Sequence, residues 1–188
     1  LSAYAGDTVI VRFRLVPNST VNTDGWYIDD ILLGDPTMSA TATQSFIQGW
    51  NMISLPFEVA DGRRVTLYPD AVSTASIYNG SSYLSADSLV TGNGYWLKFG
   101  APFSTTVTGP SRLRDTIAVQ PRWNLIGALS GEIRASSVKS IPTGIITSVF
   151  YAYNGGYTIA SSLDAGNSYW VKTNLSGSLV LSAFQNDA

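Results

Sequence analysis

The sequence contains the stretch GWNMISLP at residues 49–56 and repeats it as RWNLIGAL at residues 122–129. Two further motifs recur in the same order after these stretches: IYNGSSY (77–83) returns as AYNGGY (152–157), and LVTGNGYWLKF (89–99) returns as LDAGNSYWVKT (163–173). Trp50 and Trp123 are 73 residues apart, and the later Tyr-Trp pairs are 74 residues apart. Three motifs that recur in one order with only small insertions indicate an internal duplication.

Each copy of the duplicated segment has the same predicted outline. An apolar strand with Trp-Asn leads into a variable middle with room for a short helix, followed by a Tyr-Asn-Gly turn and a strand containing Tyr-Trp. A last strand rich in Val and Leu ends each copy. These patterns predict an all-β fold of two similar units in tandem, repeat 1 at 46–110 and repeat 2 at 111–188. Because one unit of about 65 residues has a marginal core, we expect 46–188 to pack as one pseudo-two-fold sandwich or barrel.

The segment before the repeats carries a different pattern. TVIVRFRL at residues 8–15 alternates in polarity, a loop rich in Pro, Asn, Asp and Gly follows, and a second strand is predicted from Trp26 to Leu33. Residues 1–35 are therefore predicted to form a strand pair. The stretch 36–45, which is rich in small polar residues, is predicted to be a linker.

The composition excludes several classes of function. The net charge of −2 leaves no electrostatic basis for binding nucleic acid. The chain has no histidine and no cysteine, which excludes Ser-His-Asp catalysis, Cys nucleophiles and thiolate metal sites. No stretch approaches the roughly 20 apolar residues of a membrane-spanning helix. We expect a non-enzymatic, extracellular or cell-surface protein without a membrane span.

Two parts of the chain resemble known families. The stretches LSAYAGDTVIVRFRLVPN and DGWYIDDILL resemble the last strands of the MAM-like jelly-roll domain that accompanies secreted bacterial peptidases of the immune inhibitor A type. The remaining chain is similar to Trp-Asn/Gly-Tyr-Trp repeats of large secreted bacterial surface proteins. The resemblance implies an accessory or surface role, with any catalytic domain outside this chain.

Three aspartates near the end of the predicted hairpin are the candidate metal ligands. Asp24 and Asp29 are suited to calcium, which prefers several oxygen ligands from loops and strand ends. Alternation along the strand sends Asp29 and Asp30 to opposite faces, so only one of them joins Asp24 without a bulge. The favoured interpretation is a strand end without a cofactor, and the alternative is a structural calcium ion.

The recurring aromatic residues allow two interpretations. Their equivalent positions in both copies favour a role in each unit's core; the residues concerned are Trp50, Tyr83, Trp96, Trp123, Tyr157 and Trp170. The alternative is a platform on which sugar rings stack, with Tyr83, Tyr151, Tyr153 and Tyr157 as the candidate ligand residues. Tyr151 and Tyr153 flank Ala152 and are predicted to point to one face.

Two classes of function follow. The favoured one is a structural or adhesion module of a secreted bacterial surface protein. Because an isolated hairpin is marginal in water, residues 1–35 could also complete a sheet with another chain, which would build a filament or layer by strand addition. Its partners would be other copies of the chain or neighbouring domains of a larger protein. The alternative is a carbohydrate-binding accessory module of a secreted hydrolase or peptidase, with polysaccharide as its partner.

Overall fold

The computed structural model describes residues 39–183. The chain divides after Pro36 into two units, and all described residues belong to the second. The hairpin predicted for residues 1–35 therefore lies outside the described residues, and so do the candidate calcium ligands Asp24 and Asp29. The jelly-roll resemblance and the strand-addition hypothesis both depend on that segment, and both stay predictions.

The described residues confirm the predicted all-β fold. Repeat 1 contributes six strands, β1 (Ser39–Phe46), β2 (Gly49–Ile53), β3 (Ala75–Tyr78), β4 (Tyr83–Ala86), β5 (Tyr95–Phe99) and β6 (Phe103–Pro110). Repeat 2 contributes nine, β7 (Arg114–Val119), β8 (Arg122–Gly127), β9 (Ile133–Arg134), β10 (Lys139–Ile141), β11 (Phe150–Tyr153), β12 (Tyr157–Ala160), β13 (Ser162–Leu163), β14 (Ser168–Thr173) and β15 (Gly177–Ser182). The variable middles hold the predicted short helices, the single turn α1 (Arg64–Leu67) and a 3-10 helix (Ala135–Ser137).

The two repeats build the same four-stranded antiparallel sheet. In repeat 1 the strand order is β2-β5-β3-β4, and in repeat 2 the equivalent order is β8-β14-β11-β12. A second ladder joins the first and last strands of each repeat, β1 with β6 and β7 with β15. Repeat 2 adds β10 beside β15 and a short β9–β13 pair. The duplication seen in the sequence is thus a duplication of sheet topology.

The predicted linker at 36–45 is wrong for its described residues, because 39–45 lie in strand β1. This strand pairs with β6 through eight consecutive residues, from Ser39 opposite Pro110 to Phe46 opposite Phe103. Because this stretch consists mostly of Ser, Thr and Ala, its sequence shows no alternation of polar and apolar side chains. In the structure, exposure does alternate along the strand, and Gln44 and Phe46 are buried. Repeat 1 therefore begins before residue 46, and β1 is its equivalent of β7.

The Trp-Asn motif fixes the turn before the strand that carries it, β2 in repeat 1 and β8 in repeat 2. The Asn51 side chain accepts a hydrogen bond from the Ile47 amide at 3.0 Å and donates to the Ile47 carbonyl at 2.9 Å. Asn124 makes the same pair of bonds with the amide and carbonyl of Gln120, at 2.9 and 2.8 Å. Both asparagines therefore bond to the backbone of the preceding turn, at equivalent positions in the two repeats.

The Tyr-Trp motif divides its two aromatic residues between two cores. Tyr95 and Tyr169 point into the core of their own repeat, where their hydroxyls accept hydrogen bonds from the amides of Val90 and Asp164. The adjacent tryptophan lies on the opposite face of the strand. There Trp170 forms a third buried cluster with Met52 and Leu125, one residue from repeat 1 and two from repeat 2. The third cluster therefore joins the repeats.

Reciprocal backbone hydrogen bonds also hold the repeats together. The Ser54 amide of repeat 1 donates to the Gly166 carbonyl of repeat 2, and the Gly127 amide of repeat 2 donates to the Gly92 carbonyl of repeat 1, both at 2.9 Å. Ser54 and Gly127 are equivalent positions, and so are Gly92 and Gly166. The Gly-Asn-Gly/Ser turns thus pair with the end of β2 or β8 of the other repeat, which gives this seam a pseudo-two-fold axis.

One buried polar network strengthens the seam on the repeat 1 side. The Gln44 side chain is 5% exposed and donates to the carbonyls of Ser54 and Gly166, at 3.0 and 2.9 Å. Its Oε1 accepts from the Tyr68 hydroxyl at 2.8 Å. Burial raises the pKa of Tyr68, so this hydroxyl stays a neutral donor. Ile117 occupies the position equivalent to Gln44 in repeat 2, and its apolar side chain cannot form such hydrogen bonds.

The network predicts a coupled pair of substitutions. Gln44→Ile leaves the Tyr68 hydroxyl buried without a partner, so the free energy of unfolding should fall by about 2–4 kcal/mol. Tyr68→Phe removes a donor from Gln44 and should cost about 1–2 kcal/mol. The double variant has no unpaired group at this contact and should lose clearly less than the sum. Urea unfolding of the three variants measures the coupling, and a strictly additive loss would contradict the network.

Candidate functional site

Nine aromatic side chains line a groove that has two lobes. The first lobe has a volume of about 480 Å³ and is lined by Tyr78, Tyr83, Trp123, Tyr151, Tyr157 and Trp170. The second has a volume of about 500 Å³ and is lined by Trp50, Ser76, Tyr83, Trp96, Tyr153 and Tyr157. Tyr83 and Tyr157 belong to both lobes. We call this surface the aromatic groove; it contains four of the five tryptophans of the chain.

The lobes are related by the duplication, position by position. Trp123 and Trp170 in the first lobe correspond to Trp50 and Trp96 in the second. Each lobe also takes an equivalent tyrosine from the other repeat, Tyr78 in the first lobe and Tyr153 in the second; Tyr83 and Tyr157 exchange with each other. The lobes differ at one lining position, where the first has Tyr151 and the second has Ser76. The groove thus consists of two equivalent lobes that are related by the duplication.

Strand register places these side chains on one face of each sheet. In repeat 1, Trp50 lies opposite Lys98 and Met52 lies opposite Trp96, so the four side chains share a face. In repeat 2 the equivalent opposite pairs are Trp123 with Lys172 and Leu125 with Trp170. Alternation sends the intervening residues of these strands to the core of their own repeat.

Ring contacts across the repeats form one wall of each lobe. Trp96 of repeat 1 meets Tyr153 of repeat 2 edge to face at a centroid distance of 4.8 Å. Tyr78 of repeat 1 meets Trp170 of repeat 2 in the same manner at 5.0 Å. Such edge-to-face pairs stabilise beyond their buried area. Each lobe is therefore complete only when both repeats are in place.

The sequence interpretation that all the recurring aromatics build the core is wrong for four of them. The exposed fractions are 42% for Trp50, 38% for Trp123, 53% for Tyr83 and 59% for Tyr157. Trp170 is 8% exposed and belongs to the core as expected. A Trp or Tyr ring that is more than a third exposed keeps one accessible side, so these four rings can contact a ligand.

The groove offers few polar groups, and their placement is uneven. The indole N–H of Trp96 in the second lobe is buried and has no hydrogen-bond partner among the described residues. Burial raises the pKa of Tyr83, and the Trp96 indole N–H offsets part of that rise. The Tyr83 hydroxyl therefore stays neutral at physiological pH and is a polar group available in both lobes.

The four tyrosines predicted as glycan ligands all lie in the aromatic groove. Tyr151 lines the first lobe, Tyr153 lines the second, and Tyr83 and Tyr157 line both. Sequence reasoning missed Tyr78, which is equivalent to Tyr153 and precedes Asn-Gly in the same turn motif. It also missed the two lysines beside the groove tryptophans, although the Tyr-Trp-Leu/Val-Lys motif repeats them.

Metal chemistry finds no support in the side chains of residues 39–183. Within that range, no group of three or more His, Cys, Asp or Glu residues is placed to hold an ion. The same part of the chain has no helix with the length and apolar character that crossing a membrane requires. The groove lining contains aromatic rings and one serine, which provide surfaces for packing rather than an acid, base or nucleophile pair.

Comparisons with protein-family models, with curated proteins and with solved structures found no match. The resemblance of the repeats to those of bacterial surface proteins stays a prediction.

Proposed function

We propose that the two repeats form a non-catalytic module that binds a polysaccharide chain in the aromatic groove. The observation that carries the proposal is the pair of equivalent lobes, each with an exposed tryptophan, sharing Tyr83 and Tyr157. Such a module would serve the adhesion role expected of an extracellular protein. The extracellular location and the lack of catalysis remain predictions.

The chemistry of sugars fits this lining. A pyranose ring presents C–H groups on one face, which pack against an aromatic ring, and hydroxyls at its edge, which need hydrogen-bond partners. The exposed faces of Trp50 and Trp123 supply the first kind of contact. The hydroxyls of Ser76, which lines the second lobe, and of Tyr83, which lines both lobes, supply the second kind. Each lobe lies within the roughly 300–1,000 Å³ typical of ligand sites.

The number of exposed aromatic rings in the groove also favours a role in binding. Soluble proteins rarely leave contiguous aromatic surface uncovered unless it serves binding. Here the exposed rings occur twice at equivalent positions, and one wall of each lobe is fixed by edge-to-face contacts of 4.8 and 5.0 Å. A preformed wall lowers the ordering cost of binding.

Affinity electrophoresis and pull-down assays with the full 188-residue chain test this proposal. The panel contains cellulose, chitin, mannan, a soluble β-glucan and polygalacturonate, with a proline-rich peptide as a separate ligand. We expect retention on at least one polysaccharide, together with a change in tryptophan emission as the rings are covered. Lack of retention on every polysaccharide would overturn the proposal, and so would binding of the proline-rich peptide alone.

A further inference from the structure

We infer that the groove selects an acidic polysaccharide, one whose sugar rings carry carboxylates, and that Lys98 and Lys172 provide the selection. This inference rests on the proposed carbohydrate function and adds the class of carbohydrate. Its basis is the position of the two lysines, which the register of the sheets places beside the exposed tryptophan of each lobe.

The two lysines are held at the groove in the same way. The Lys98 ammonium lies 5.9 Å from the centroid of the Trp50 ring, and the Lys172 ammonium lies 6.0 Å from that of Trp123. This distance is at the outer limit of a cation–π contact, so the rings satisfy the ammonium groups only weakly. Both lysine side chains are exposed. Each can therefore reach a charged group on a ligand that covers the neighbouring indole ring.

No counter-charge neutralises the lysines within the described part of the chain. The ion pairs there are Arg63 with Asp61 and Arg112 with Asp115, and neither involves Lys98 or Lys172. Among the described residues, no aspartate or glutamate lines either lobe. The groove is therefore a local cationic surface on a chain of net charge −2. Since the screening length is about 8 Å at physiological ionic strength, the local charges outweigh the distant ones.

The distribution of lysines in the sequence supports a specific role. The chain has three lysines, and two of them occupy equivalent positions opposite the exposed groove tryptophans. The third, Lys139 in β10, is exposed and lies opposite Val180 of β15 instead of a groove tryptophan. A cationic ligand such as a quaternary ammonium group would favour aromatic walls but would be repelled by both lysines. A uronic acid sugar satisfies both features, since its ring face packs on the tryptophan and its carboxylate meets the ammonium.

Binding of polygalacturonate and of its fully methyl-esterified, neutral form tests the inference by calorimetry. We expect tighter binding of the acidic form at low salt and loss of that preference in 0.5 M NaCl. The double variant Lys98→Gln/Lys172→Gln should lose about tenfold in affinity for polygalacturonate, as two exposed ion pairs permit, and keep its affinity for the neutral form. Each single variant, Lys98→Gln or Lys172→Gln, should lose about threefold. Lys139→Gln removes the same single charge away from the groove tryptophans and should bind like the original chain.

The outcomes separate the inference from the proposed function. Equal binding of both forms, unchanged by the double substitution, would overturn the acidic selection and leave the carbohydrate function in place. An equal loss in the Lys139→Gln variant would also overturn it, because the effect would then come from overall charge. Binding of neither form, nor of any other polysaccharide, would overturn the proposed function and the inference together.

Discussion

Replacing the two exposed tryptophans together, as Trp50→Ala/Trp123→Ala, is expected to weaken polysaccharide binding by about 100-fold or more while the fold is retained. Tryptophans at the centre of an interface typically contribute about 2 kcal/mol or more when truncated, and each lobe would lose its exposed indole. With exposed fractions of 42% and 38%, both side chains leave the buried clusters intact when removed. Calorimetric titration with the best-bound polysaccharide measures the loss.

The duplicated design also predicts the behaviour of the single variants. Each one leaves the other lobe whole, so each should keep measurable binding with a smaller loss than the double variant. Val65→Ala in α1 is the matched control, because Val65 is 56% exposed and lies outside both lobe linings. Thermal unfolding checks that the melting temperature changes by only a few degrees. A double variant that binds like the original chain would show that the groove is not the site.

Much of the fold follows from the sequence because its local patterns are strong. The Trp-Asn, Tyr-Asn-Gly and Tyr-Trp motifs repeat in the same order at nearly the same spacing, and each has a local physical role, in a turn or in an alternating strand. Asn79 shows this, since its side chain accepts hydrogen bonds from the amides of Ser81 and Ser82 and closes the predicted turn between β3 and β4. Such contacts span two or three residues and leave a clear mark on the sequence.

The groove was harder to predict, because its faces are decided by contacts between distant residues. Both faces of strand β2 carry apolar side chains, with Ile53 in the core of repeat 1 and Met52 in the cluster between the repeats. Alternation therefore separates the faces without saying which one meets solvent. Whether Trp50 is exposed depends on how far the second repeat covers that face. Tyr153, more than 50 residues away from Trp96, supplies part of that cover.

Replacing one glycine at the axis between the repeats, as Gly127→Ser, is expected to lower the free energy of unfolding by about 3 kcal/mol. A Cβ atom at Gly127 would lie 2.7 Å from the Asn93 carbonyl oxygen and 2.8 Å from the Cβ of Ser54. Ser54 of repeat 1 is equivalent to Gly127 of repeat 2, so equivalent residues of the two repeats contact each other across the pseudo-two-fold axis. The same holds for Gly94, where a Cβ would lie 2.7 Å from that of Ser168. At each contact only one copy has room for a side chain.

This geometry predicts that a swap restores part of what the single substitution removes. Ser54→Gly alone should cost about 1 kcal/mol, because the Ser54 hydroxyl loses its 2.7 Å hydrogen bond to the Asn167 carbonyl. In the Gly127→Ser background the same change should be stabilising, since it removes the 2.8 Å contact between the new Cβ and the Ser54 Cβ, while the 2.7 Å approach to the Asn93 carbonyl oxygen remains. Gly156→Ser is the matched control; no heavy atom lies within 4 Å of a Cβ built there, so we expect a change below about 0.5 kcal/mol. Urea unfolding gives the four values, and simple additivity of Ser54→Gly and Gly127→Ser would show that the two copies do not meet at the axis.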